Sequence, residues 1–161
     1  MNGVVVDTSA ATAILLSELA SESVLAALEG ADPRLMSATT LVELGIVVEA
    51  RLGPAGSGLA DRFVRDGGIE VVAFDRTQAD RALEGWRRFG KGRHRAALNL
   101  GDCLTYGLAV ATGYPVLCIG NDFPQTDAEV AQLGTTPAAG GELADDTDWA
   151  ALYEDEPDQR S

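Results

Sequence analysis

Several familiar chemistries are ruled out by what this chain has little of. Only two of its 161 residues are cysteine, Cys103 and Cys118. Both lie in apolar segments without metal-ligand spacing, so they read as buried, reduced thiols acting as small hydrophobes. The only histidine is His94, and no histidine or cysteine cluster suggests zinc. A reaction that commonly uses both a general acid and a general base would have to draw on that one imidazole, which reads instead as a polar residue in a basic loop. No apolar run approaches the ~20 residues of a membrane span. The N-terminus also lacks a basic region followed by an apolar signal core, so the expectation is a cytoplasmic protein with no membrane contact. Cations are scarce as well, with 12 Lys and Arg against 25 Asp and Glu, for a net charge of -13. Taken as a total, that charge argues against a nucleic-acid partner, because phosphates attract lysine and arginine. Its distribution changes the picture: residues 135–161 hold eight acids and one arginine, or -7 of the total.

What is present fits one compact domain, which at this length hides about 70 % of its unfolded surface. The run Val4 to Val6 reads as a short buried strand, and Ile69 to Phe74 and Pro115 to Ile119 repeat the character, each bounded by glycine or proline. Helical patterns fall between them at Ala10 to Leu19, Ser21 to Leu28, Leu41 to Leu52, Leu59 to Val64, Gln78 to Phe89 and Gly101 to Ala111. Strands alternating with helices predict an α/β fold with a parallel sheet covered on both faces. Such folds open their ligand cleft at the carboxyl ends of the strands, where Asp7 and Asp122 fall. The division expected is a folded domain over residues 1–134 and an acidic, flexible tail over 135–161. Within that tail Trp149, Leu152 and Tyr153 could share one face of a short helix capped by Asp146 or Thr147, which would dock on this domain or a partner.

Four carboxylates stand out. Glu43, in TTLVELGIVVEARL, shares a helical face with Thr39, Ile46, Val47 and Ala50, whereas Glu49 falls toward the exposed end near Arg51. An acid on an apolar stripe needs a cation, a hydrogen-bond network or a cleft. Asp102, in NLGDCLTYGLA, lies on an apolar helix face too, and it also fits the third helical position of a capping box begun by Asn99. Asp7, Thr8 or Ser9 could simply cap the helix after the first strand, and Asp122 could be a turn residue. Singly each acid is weak, but together four distant segments bring carboxylates to one end of an α/β sheet. Two such groups ~4 Å apart would repel by about 4 kcal/mol at an effective dielectric near 20. The set would titrate as a coupled unit, and something positive must sit among them. Oxygen ligands of this kind suit a hard dication, Mg²⁺ with Mn²⁺ as substitute.

The order VVVDTSA, an acid in TTLVEL, GDCLTYGLA after a basic segment, then IGNDFPQTD resembles the PIN domain, specifically the VapC-type toxins of bacterial toxin-antitoxin pairs. The similarity runs from Val4 to about Asp127. The resemblance implies a three-layer α/β/α fold with a central parallel sheet and a metal-dependent endoribonuclease in which water attacks phosphorus in line. It further implies a homodimer and inhibition by a cognate VapB antitoxin. Carried over residue by residue, Asp7 and Asp102 match the principal metal ligands, and Glu43 and Asp122 the acids completing the pocket. Asp127 matches a less regular further acid, and Thr8 or Ser9 the hydroxyl supporting the first aspartate. The acidic extension after about Gly134 departs from the family.

Residues Trp86 to Arg95 contain Arg87, Arg88, Lys91, Arg93 and Arg95 and no acid, immediately before the segment bearing Asp102. A local basic loop beside an acidic pocket can steer an RNA backbone to it despite the net charge, and its arginines can stack on unpaired bases. A solvated turn with salt bridges is the plainer alternative. Two other readings compete for the whole chain. One is a PIN-like module that binds RNA or protein without cutting. The other is a phosphatase or phosphoaspartyl receiver, poorly matched because Ser9 stands where a second aspartate belongs and the only lysine is Lys91.

Overall fold

The computed structural model describes residues 2–134. The tail over 135–161, including the helix considered around Trp149, Leu152 and Tyr153, lies outside the described residues.

The three valines of the first strand already define the layers. In β1 (Val4–Val6), alternate side chains point to opposite faces, and all three are buried. Val4 and Val6 pack into a core with α1 (Thr8–Leu15), α2 (Ser21–Glu29), α3 (Ala38–Leu52) and α4 (Leu59–Asp66). Val5 faces the other way, into a second core with α5 (Arg76–Phe89) and α6 (Leu100–Thr112). A strand hydrophobic on both sides is the signature of a parallel sheet sandwiched by helices. The sheet has four strands in the order β3-β2-β1-β4, all parallel, with β2 at Arg34–Ser37, β3 at Glu70–Val72 and β4 at Val116–Leu117. Beyond β4 the segment around Val130 bridges Val116, through Val116 N to Glu129 O at 2.8 Å and Ala131 N to Val116 O at 2.9 Å, and so covers that edge.

The α/β class with a parallel sheet and both faces covered is as expected from the alternating pattern, and the six helices fall where their periodicity predicts. The differences are local. Helix α1 begins at Thr8 and ends at Leu15, four residues short of the predicted limit, because Ser17 turns to φ 53°. Strand β2 is absent from the sequence reading altogether. It starts with Arg34, a residue that reads as surface, but the guanidinium is satisfied locally. Nε donates to Ala31 O at 2.9 Å, Nη1 to Gly67 O at 2.7 Å and Nη2 to Glu29 O at 2.9 Å. After it, Leu35, Met36 and Ser37 are buried. A strand of four residues with a cation at its head offers too little alternation to be seen.

Candidate functional site

Asp7 follows β1 at the carboxyl edge of the sheet and is only 4 % exposed. It is the N-cap of α1, as one of the two sequence readings allows, and its Oδ2 accepts from Ser9 N at 3.0 Å and Ser9 Oγ at 2.7 Å. Oδ1 accepts from Thr105 Oγ1 at 2.8 Å, reaching across from α6. Each hydroxyl has one proton, so its remaining contacts are fixed. Ser9 Oγ, having donated to Asp7, accepts from Ile119 N at 3.0 Å, just past β4. Thr105 Oγ1 likewise accepts from Thr40 Oγ1 at 3.2 Å, on α3. A chain of hydroxyls thus ties Asp7 to three other segments. Ser9 is among the residues the sequence singles out; Thr105 and Thr40 are not. Their one signal is position: Thr105 stands three residues after Asp102, a polar side chain on the helix face that is otherwise buried.

Glu43 lies on α3, half-buried, and accepts from Thr8 Oγ1 at 2.6 Å on Oε2. The two hydroxyls after Asp7 are therefore divided, Ser9 serving Asp7 and Thr8 serving Glu43. The Glu43 carboxylate rests directly against Gly101, so closely that a Cβ at that position would collide with it. Glycine here brings the acid of α3 against the first turn of α6, one residue from Asp102.

Asp102 satisfies the capping-box reading in full: Asn99 N donates to its Oδ2 at 2.8 Å, and its own N–H donates to Asn99 Oδ1 at 2.9 Å. That contact engages Oδ2 and leaves Oδ1 outside the capping box. Burial above all, then the nearby charge of Asp7, drives the Asp102 carboxyl up to about 8, with Asp122 and Glu43 adding to the shift and the Asn99 amide opposing it. All three other acids therefore act on Asp102 through space. Asp122 is exposed, in the loop after β4, immediately before a single 3-10 turn over Phe123–Gln125 whose Phe123 is buried. Among the described residues no three His, Cys, Asp or Glu side chains form a ready-made ligand set. Beneath the acids, Cys118 is pushed up out of reach of titration, by burial first and then by Asp7, Asp102 and Asp122. Cys103 is pushed up to about 11 by burial and Asp102. Both thiols are free and buried.

Asp127 stands elsewhere. Oδ1 accepts from Tyr106 Oη at 2.8 Å and Oδ2 meets Arg88 Nη1 at 2.8 Å. Burial pushes its carboxyl up, but the bonds from Tyr106 and Arg88 outweigh that and leave it below the usual range. Tyr106 is driven to about 12 by burial and by Asp127. The result is a latch joining α5, α6 and the segment that follows Asp122.

The five cations of the basic stretch fall at the end of α5 and in the loop to α6. Arg88 is engaged by Asp127 and, at 3.7 Å, Glu84. Arg93 lies over the Trp86 ring. Arg87, Lys91 and Arg95 are exposed and form no ion pair among the described residues. His94 is structural: its Nδ1 accepts from Ala96 N at 3.1 Å and its ring meets the Phe89 ring edge-on at 5.3 Å.

The family described as the PIN domain matches residues 4–129. Ribonuclease VapC30 of Mycobacterium tuberculosis is 43% identical over 129 residues, 80% of this chain and 98% of that protein. Ribonuclease VapC of Mycolicibacterium smegmatis is 43% identical over 123 residues, 76% of this chain and 95% of its own length. Among solved structures, Mycobacterium tuberculosis VapC20, a sarcin-ricin loop cleaving toxin, superposes with a TM-score of 0.65 at 16% identity. The match covers 81% of this chain and 100% of that one, a likeness of fold.

Proposed function

The chain belongs to the PIN-domain family, among the VapC ribonucleases, and from that premise we propose that it is a metal-dependent endoribonuclease, the toxin of a type II toxin-antitoxin pair. The observation that carries the site is the field at Asp102. A carboxyl in the first turn of a helix, hydrogen-bonded by a backbone amide, should be an easy acid; here it is raised to about 8 by burial and by Asp7, Asp122 and Glu43. Three acids from three other segments thus act on Asp102 through space near the carboxyl edge of the sheet.

The donor set fits a hard dication. It is all oxygen, drawn from carboxylates with no imidazole or thiolate in line, as Mg²⁺ or Mn²⁺ requires. Asp7 and Asp102 are the ligands we assign, with Glu43 and Asp122 in support. When bound, such an ion supplies Lewis acidity toward a phosphoryl oxygen and an attacking water. The protein's own residues do the positioning. Ser9 and Thr105 hold both oxygens of Asp7 in one orientation, and Thr8 holds Glu43. Asn99 fixes Oδ2 of Asp102, so that Oδ1 is the atom that carries the proton when the acid is neutral. The basic loop from Gly90 to Leu98 leads directly into the first turn of α6 and draws the RNA backbone toward the acids. The partners that follow are an RNA substrate, a VapB-type antitoxin and a second copy of the chain, meeting in the cytoplasm. Among the described residues no helix is long and apolar enough to cross a membrane.

The test is RNA cleavage by the purified protein with and without EDTA, beside Asp7→Ala and Asp102→Ala. Chelator and each substitution are expected to abolish turnover, with activity returning on added Mg²⁺ or Mn²⁺ for the wild type only. Cleavage that survives EDTA and both substitutions refutes the assignment.

A further inference from the structure

Trp86 and Arg93 form a stack that no role described so far uses. The Trp86 side chain, at the end of α5, is 40 % exposed, and the Arg93 guanidinium carbon lies 3.9 Å from its ring centroid. The loop is built to make this contact. Gly90 has no Cβ, and one placed there would approach the Trp86 Cδ1 to 2.7 Å, so the ring lies against bare backbone. Gly92 takes φ 78°, which lets the chain double back and bring Arg93 over the ring. Four backbone bonds hold the turn: Arg93 N and His94 N donate to Gly90 O at 2.9 and 3.2 Å, and Lys91 N to Leu98 O and Leu98 N to Phe89 O at 3.0 Å each.

The consequence is a guanidinium held over an aromatic ring at the surface. No acid occurs between Glu84 and Asp102 in the chain, and among the described residues Arg93 makes no ion pair. Arg88, two residues from Trp86, is by contrast neutralised by Asp127 and Glu84. A planar cation backed by an aromatic ring offers its outer face to another π-system, and unpaired nucleobases stack on arginine planes whatever their sequence. An acidic protein surface would engage the same group differently, by the edge, through its N–H donors.

We propose that Trp86 and Arg93 are a base-stacking platform: an unpaired nucleobase of single-stranded RNA lies on the outer face of the Arg93 guanidinium, while Arg87, Lys91 and Arg95 hold the flanking phosphates. The proposal rests on the ribonuclease reading and adds the part of the substrate gripped outside the acids. It also sorts the basic stretch into one structural arginine, one stacking arginine and three phosphate contacts.

The experiment measures binding in EDTA, where no strand is cut, to a mixed-sequence single-stranded RNA oligonucleotide and to an abasic strand of equal length. Arg93→Lys keeps the charge and loses the plane. It is expected to weaken binding of the base-bearing strand about tenfold, within the range that stacking of one base supplies, and to leave the abasic strand unchanged. Trp86→Leu should give the same selective loss, with melting temperature recorded for both variants. In Mg²⁺, Arg93→Lys should raise KM for cleavage and leave kcat unchanged. Wild-type protein that binds both strands equally overturns the proposal in favour of contact with phosphate or an acidic protein alone. So does Arg93→Lys that matches wild type on the base-bearing strand while cleavage proceeds normally. If the wild type neither binds nor cuts RNA, the ribonuclease reading falls, and the platform with it.

Discussion

At the scale of single residues, the site is a problem in distributing protons. Thr105 gives its one proton to Asp7 and receives one from Thr40, so Thr105→Val removes a donor to a buried carboxylate and strands a second hydroxyl. Groups that orient metal ligands typically cost 10–100-fold in affinity or activity when removed, so this variant is expected to lose about tenfold in Mn²⁺ affinity by calorimetry and a similar factor in cleavage. Unchanged titration curves would show the hydroxyl chain to be idle. Asp102 makes a second prediction, about pH. Its folded value of about 8 lies above the 3.8 of an ordinary aspartate. Between those two values the folded protein holds a proton that the unfolded chain has released, so stability must fall as pH rises. The metal-free protein should accordingly melt lower at pH 8 than at pH 5, the loss beginning near 4 and ending above 8. Asp102→Asn should flatten the slope. A divalent cation, which competes with that proton, should reverse the penalty at the upper end. A melting temperature in EDTA that does not change over this window would mean that neither burial nor the neighbouring acids hold a proton on Asp102.

The elements show why some residues were legible and others not. Periodicity at 3.6 residues is plainest in α4 and α5, which bury Ala60 and Phe63, and Gln78, Ala82, Gly85 and Phe89, along one face and leave most of the other positions wet. The capping box of α6 was readable for a local reason: Asn99 and Asp102 are three residues apart and bond each other's backbone. The capping-box reading of Asp102 is correct and uses Oδ2, which leaves Oδ1 for the ligand role proposed above. Strand β2 failed to register because its first residue is charged, and what makes Arg34 acceptable there, three carbonyls from the ends of α2 and α4 and their connections, is invisible until those ends meet. Arg34→Met should keep the aliphatic stem and lose all three bonds. We expect a loss of about 2 kcal/mol in urea denaturation, since only part of each bond's energy is net and one of the three is exposed. A midpoint equal to wild type would mean that water serves those carbonyls equally well.

For the whole molecule, the distribution of charge matters more than its sum. The acids of 135–161 carry -7, and the basic stretch before Asp102 is the obvious place for them to compete with RNA as phosphate mimics. Deleting 135–161 should therefore lower KM for RNA at low salt, and the gain should fade as salt screens the interaction. A KM indifferent to the deletion at every ionic strength would dispose of this competition. What the sequence determined by itself is the class of fold, because alternating strands and helices dictate a parallel sheet; it also nominates Asp7, Glu43, Asp102 and Asp122, each a carboxylate at a strand end or on an apolar helix face. Tertiary structure alone decided how they are held. Thr105 reaches Asp7, and Thr40 reaches Thr105, only when α3 and α6 meet at the same sheet edge. Gly101 admits Glu43 only because those helices touch. Asp127 was assigned to Arg88 and Tyr106 by the packing of α5 on α6. Hydrogen bonds have a reach of about 3 Å, and contacts between residues tens of positions apart in the chain have no local signature, since nothing in either segment alone records the distance that folding will leave between them.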